Sequence, residues 1–169
     1  MSIENFIDFF DKSLLTFAKK DIRYENSIFK DIRYLPPRTK GSFFEKLSKN
    51  IFQKLSFQID KPQSSDHDMI VNNCKIEVKG STLVMNKNIF SFLQIRPDQD
   101  YEVIIFVMAY PKELKILEMT KKDVIKNIEN NVFKKQHGGK KADSRTFCYY
   151  GNYESLLKIG ATPLKMVNK

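Results

Sequence analysis

Apolar residues recur at two different periods along this 169-residue chain. Near the start, Ile3, Ile7, Phe10, Leu14 and Phe17 are spaced four-three-four-three, and Phe6 and Phe9 widen the stripe. That spacing predicts a helix over residues 2–20. It lasts about two heptads, so packing on the domain's own core is expected rather than a coiled-coil dimer. An irregular stretch ending in Leu35-Pro36-Pro37 follows. A second helix is predicted to start at Gly41-Ser42. There Ser42 and Glu45 form the S-x-x-E capping-box pattern, with Phe44, Leu47, Ile51 and Leu55 on one face.

The period then shifts to two. Asp66–Val71 and Cys74–Thr82 alternate as strands, and Tyr101–Tyr110 is a Val, Ile and Phe run closed by Pro111, as a buried central strand requires. Leu114–Met119 suits its neighbour. Thr120, with Asp123 at the capping-box position, starts a helix running to about Asn130. The tail from Lys134 holds a basic glycine loop, a Tyr/Phe strand and a short helix near Ser155–Leu157. This order predicts an α/β fold with a mixed central sheet flanked by helices.

Composition narrows the class. A 41% hydrophobic and 29% charged chain is globular, and no apolar run approaches the ~20 residues of a membrane span. Glu4, Asp8 and Asp11 interrupt the N-terminal apolar residues, unlike a signal peptide. Cys74 and Cys148 lack CxxC spacing, which excludes a cysteine zinc site and fits reduced thiols in the cytoplasm. The net charge of +9 points to a polyanionic partner.

The segment SSDHDMIVNNCKIEVKGST carries the chemistry. Asn72-Asn73 suits a two-residue type I′ turn, because asparagine tolerates positive φ. Val71 then faces Cys74, Asp68 faces Glu77, and Asp66 faces Lys79. Met69, Val71, Cys74, Ile76 and Val78 form the opposite, apolar face. Like charges directly opposed across strands repel, so Asp68 against Glu77 calls for a cation between them. A divalent ion with oxygen ligands fits that gap, and Lys79 adds a fixed positive charge. His67 alternates onto the apolar face, where a satisfied, semi-buried histidine is expected.

At these residues the chain resembles the PD-(D/E)XK nuclease superfamily, especially its small type II restriction endonucleases. Asp68 matches the first acidic position and Glu77-Val78-Lys79 the E-x-K element; the nominal proline is absent. The resemblance implies a restriction-endonuclease-like core over residues 41–130, with 1–40 as a helical region and 131–169 as a basic DNA-contacting region of one domain. It implies Asp68, Glu77 and Lys79 as catalytic residues, and Asp68 and Glu77 as ligands of Mg²⁺, for which Mn²⁺ could substitute. Glu45 falls where many members carry an auxiliary acid, although capping also accounts for it. Gln94, in FSFLQIRPDQDY, could orient water or bind backbone as an ordinary amide, and Arg96 could clamp a phosphate.

The loop KKQHGGKKADSR lies outside that core. Lys140 and Lys141 are candidates for phosphate contact, and Gln136, His137 and Arg145 for base edges; the alternative is a solvated lysine loop. The implied activity is a bacterial or archaeal type II restriction endonuclease cutting double-stranded DNA at a short sequence. A homodimer on a palindrome and a cognate DNA methyltransferase encoded nearby would accompany it. A repair or junction-specific nuclease shares the chemistry. A non-catalytic basic nucleic-acid-binding module is the reading from another class.

Overall fold

A computed structural model of the chain describes residues 21–136 and 145–164. The helix expected over 2–20, and most of the basic glycine loop, lie outside them. Two sheets organise the rest. The larger has six strands in the order β1-β2-β3-β5-β6-β9 and the smaller three in the order β4-β8-β7. No helix among the described residues is long and apolar enough to cross a membrane.

The hairpin β2 (Met69–Val71) and β3 (Cys74–Thr82) turns at Asn72 and Asn73, whose φ values are 48° and 66°. Both are left-handed, as a type I′ turn requires. The ladder pairs Val71 with Cys74, Ile70 with Lys75 and Met69 with Ile76, the register read from the alternation. It stops sooner than expected. Asp68 still donates its N–H to the Ile76 carbonyl at 2.9 Å, but Asp66 has turned away, its own N–H held by Ser64 Oγ at 3.2 Å. The serines before Asp66 favour a local turn over ladder bonds, so Asp66 does not oppose Lys79.

On its other side β3 runs parallel to β5 (Val103–Ala109), which pairs antiparallel with β6 (Leu114–Thr120). β5 is the buried central strand its composition predicted, with Ile104 through Ala109 at 0% exposure. Thr120 caps the next helix as expected: its Oγ1 accepts from the Asp123 N–H, and that helix runs Lys121–Glu129.

The two faces of the large sheet are covered differently. One carries the long helix Pro37–Lys54; the shorter Lys30–Tyr34 precedes it, and in chain order they are α1 (Lys30–Tyr34) and α2 (Pro37–Lys54). α2 starts four residues before Gly41, because Pro37 occupies its first turn with a preset φ and no N–H to satisfy. Gly41 and Ser42 are therefore interior, and the Ser42–Glu45 capping box does not form. The buried stripe is Phe44, Ser48 and Phe52, about one residue round from the expected one, and Leu55 is 44% exposed. Gly80 dictates that rotation: the Phe44 ring lies where its Cβ would be.

The opposite face is closed by the small sheet rather than by a helix. Phe92 of β4 (Phe90–Ile95) packs edge-on to Phe106 of β5 at 4.9 Å. The expectation of helices on both faces is corrected accordingly. Residues 21–35, expected to be irregular, contain α1 and a 3-10 turn at Ile22–Tyr24. Tyr24 is fully buried; its hydroxyl donates to the Ala109 carbonyl at 2.6 Å and accepts from the Leu83 N–H at 2.9 Å. That clasp joins the C-terminal ends of β3 and β5.

Candidate active site

Because the β2 ladder ends at Ile76, the outer edge of β3 from Glu77 to Thr82 has no strand beside it. A cleft of about 1000 Å³ runs along this edge between α2 and β4, its wall including Glu45, Asp68, Glu77, Lys79, Gln94 and Gln136. Three elements thus bring the two hairpin acids, the E-x-K lysine and the helix acid to one place. Glu45 stands in mid-helix on the cleft side. Its role as a cap is overturned, since no helix begins there.

The Asp68 Oδ2 accepts the Val78 N–H at 2.7 Å, taking the ladder position that β2 leaves. Lys79 Nζ lies 2.6 Å from Glu77 Oε1, and both side chains are largely buried. Burial raises the Glu77 carboxyl from its ordinary 4.5 to about 7; Lys79 opposes that rise, and Asp68 and Glu45 add to it. Asp68 is raised as well, mainly by burial, with the Val78 N–H and Lys79 pulling it back. Glu45 is raised by burial and by the charge of Asp68. Three carboxyls therefore share one lysine in a poorly solvated wall. The arrangement favours protons or a cation.

Asp68 and Glu77 are the oxygen donors that could hold a metal. Among the described residues no group of three histidine, cysteine, aspartate or glutamate side chains encloses a metal site. That donor set suits Mg²⁺, which binds through one or two carboxylates and keeps waters or phosphate oxygens for its remaining positions.

The raised Glu77 has a consequence for stability. The folded state holds this proton more tightly than the unfolded chain does, so its contribution is complete below pH ~4.5 and is lost as pH rises towards ~7. Thermal melts of protein kept in EDTA should fall across that window, by an amount on the order of a few kcal/mol. Glu77→Gln should flatten the fall. Identical wild-type and variant profiles would disprove the assignment.

The other expected residues are more scattered. Gln94 sits in a bulge of β4 at φ 56°, with its N–H donated to Gln136 Oε1 at 2.7 Å, so both border the cleft. Arg96 is half-buried past the bulge, its Nε without a hydrogen-bond partner, and is not part of the cleft wall. Arg145 is exposed and 3.4 Å from Asp98. His137, Lys140 and Lys141 lie outside the described residues. His67 corrects an expectation: it is only 3% exposed, yet neither ring nitrogen has a hydrogen-bond partner. The sequence reading missed Arg33, Arg38 and Lys40, which line the same cleft. Pro37 was the available signal, because a helix started there places residues 38, 41, 42 and 45 on one side.

No family model matches the chain, and neither does any curated protein. Among solved structures, the chain is similar to a bacterial homing endonuclease at 11% identity and a TM-score of 0.45. The match covers 69% of this chain and 75% of that one.

Proposed function

We propose that the chain is a Mg²⁺-dependent endonuclease of the PD-(D/E)XK type, hydrolysing phosphodiester bonds of double-stranded DNA. The observation that carries this reading is the buried Asp68–Glu77 pair with Lys79, set on a strand edge that opens into a cleft. A purely structural surface would expose such acids or pair each with its own cation.

Asp68 and Glu77 would hold the ion, which when bound lowers the pKa of its water and offsets charge on the phosphoryl oxygens. Once Glu77 is so engaged, Lys79 Nζ is free to turn from Glu77 Oε1 towards the phosphoryl oxygen on which negative charge develops. Glu45 is placed to accept a proton from water, because burial and Asp68 keep its carboxyl above the ordinary range. Gln94, fixed by Gln136, would position the water or the phosphate from the opposite wall.

Within this chemistry we favour a type II restriction enzyme, acting as a homodimer on a short palindrome beside a cognate methyltransferase. The basic loop through His137, Lys140 and Lys141, with Gln136 and Arg145 at its ends, would contact DNA outside the cleft. The test is incubation with a mapped plasmid, with Mg²⁺ and with EDTA, and sequencing of the fragment ends. Discrete fragments only with Mg²⁺ are expected. Cutting in EDTA would overturn the metal assignment, and ends without a common sequence would favour the repair or junction nuclease.

A further inference from the structure

The cleft continues past the carboxylates. Along α2 its wall carries Arg38, Gly41, Ser42 and Glu45, successive turns of one helix side, and Arg33 and Lys40 join them at the Arg38 end. At a rise of 1.5 Å per residue, Arg38 stands about 10 Å along the helix axis from Glu45. The cleft is therefore polarised, with acids at one end and cations at the other.

The cations are short of counter-charge. Asp21, the acid beside them, accepts from Arg23 Nε at 2.8 Å and from Arg23 Nη2 at 2.7 Å. Arg33 Nε comes within 3.5 Å of the same carboxylate, but its geometry makes no hydrogen bond and the atom is buried without a partner. Lys40 is half-buried, and its Nζ donates only to the Arg33 carbonyl, at 3.1 Å. Burial and the charge of Arg33 both lower its pKa. Two neighbouring, partly buried cations sharing an already occupied acid form a site for an anion. Guanidinium and ammonium groups together suit phosphate oxygens.

We infer that Arg33, Arg38 and Lys40 form a second phosphate site, holding a backbone phosphate that flanks the one cut, so that the substrate must be a polymer lying along the cleft. The inference rests on the nuclease reading for which phosphate is cut, but not for whether phosphate binds. Recognition at this end is of backbone, with no sequence information of its own.

The experiment titrates a fluorescent duplex against the full-length protein in Ca²⁺, at several salt concentrations, by anisotropy. Wild type is compared with Arg38→Gln/Lys40→Gln, and with Lys112→Gln/Lys158→Gln, which removes the same charge from exposed positions outside the cleft. Arg38 is exposed, so its replacement leaves the core intact; circular dichroism checks the fold. The slope of log Kd against log salt should fall by about 0.9 for each lost phosphate contact, or ~2 in the cleft pair. The control pair should keep the wild-type slope. An unchanged slope in the cleft pair overturns the inference, as does an equal loss in the control, which would mark a net-charge effect. A wild type that binds duplex but does not cut it in Mg²⁺ defeats the nuclease reading alone, and the slope still decides the phosphate site. A wild type that binds no duplex defeats both.

Discussion

Asp68→Asn, Glu77→Gln and Lys79→Ala should each reduce Mg²⁺-dependent plasmid cleavage by at least ~10²–10³-fold, the usual cost of losing one preorganised electrostatic group. Asp68→Asn is the informative form at its position. An amide oxygen can still accept the Val78 N–H, so the strand edge survives while the negative charge is lost. Glu77→Gln removes a buried charge and should leave the protein at least as stable in EDTA. Lys79→Ala should be less stable at neutral pH, since Lys79 is the cation in contact with Glu77. Asp66→Ala serves as the control and should cut normally, because Asp66 has left the ladder. Initial rates at saturating Mg²⁺, with melts of each variant, would decide the matter. An inactive Asp66→Ala beside an active Asp68→Asn would move the site to the wrong residue pair.

Gly80→Ala should destabilise the fold more than any surface substitution in the cleft. The new methyl group would occupy space taken by the Phe44 ring, which is fully buried and cannot swing out. Relief requires α2 to lift from β3, an overpacking cost of ~1–3 kcal/mol. For a domain of this size that corresponds to a loss of roughly 3–10 °C in Tm. Glu45 is the next residue along α2, so the acid should shift with Phe44 and cleavage should fall beyond what the lost stability explains. Phe44→Leu in the Gly80→Ala background should recover part of the loss, and a double-mutant cycle would report the coupling. Additive effects of the two substitutions would contradict the contact.

The hairpin was legible because several local signals agreed. The alternation from Met69 to Val78 specified faces, and two asparagines supplied the positive φ values that set the register. β5, β6 and the Thr120 cap were read from equally local features. The failures came where one pattern served two structures. Ser42–Glu45 has capping-box spacing, but Pro37 had already started the helix, and the tertiary fit of Phe44 against Gly80 set its rotation. Phe90, Phe92 and Ile95 read as core residues, yet nothing local says that β4 belongs to a second sheet. Arg33 and Lys40 looked like ordinary surface charge, because their shared shortage of acids depends on Asp21 being occupied by Arg23.

An unpaired strand edge invites another chain to dock on it and extend the sheet, a route to aggregation. β3 has such an edge beyond Ile76, within an otherwise apolar strand. The Asp68 carboxylate occupies the Val78 N–H where an intruding backbone carbonyl would bind, and buried negative charge beside it discourages close approach. Solubility and reactivity are thereby joined in one side chain. Evolution could not discard Asp68 in a lineage that lost its activity without uncovering a sticky edge, so an inactive descendant could be expected to keep this aspartate for reasons unrelated to hydrolysis.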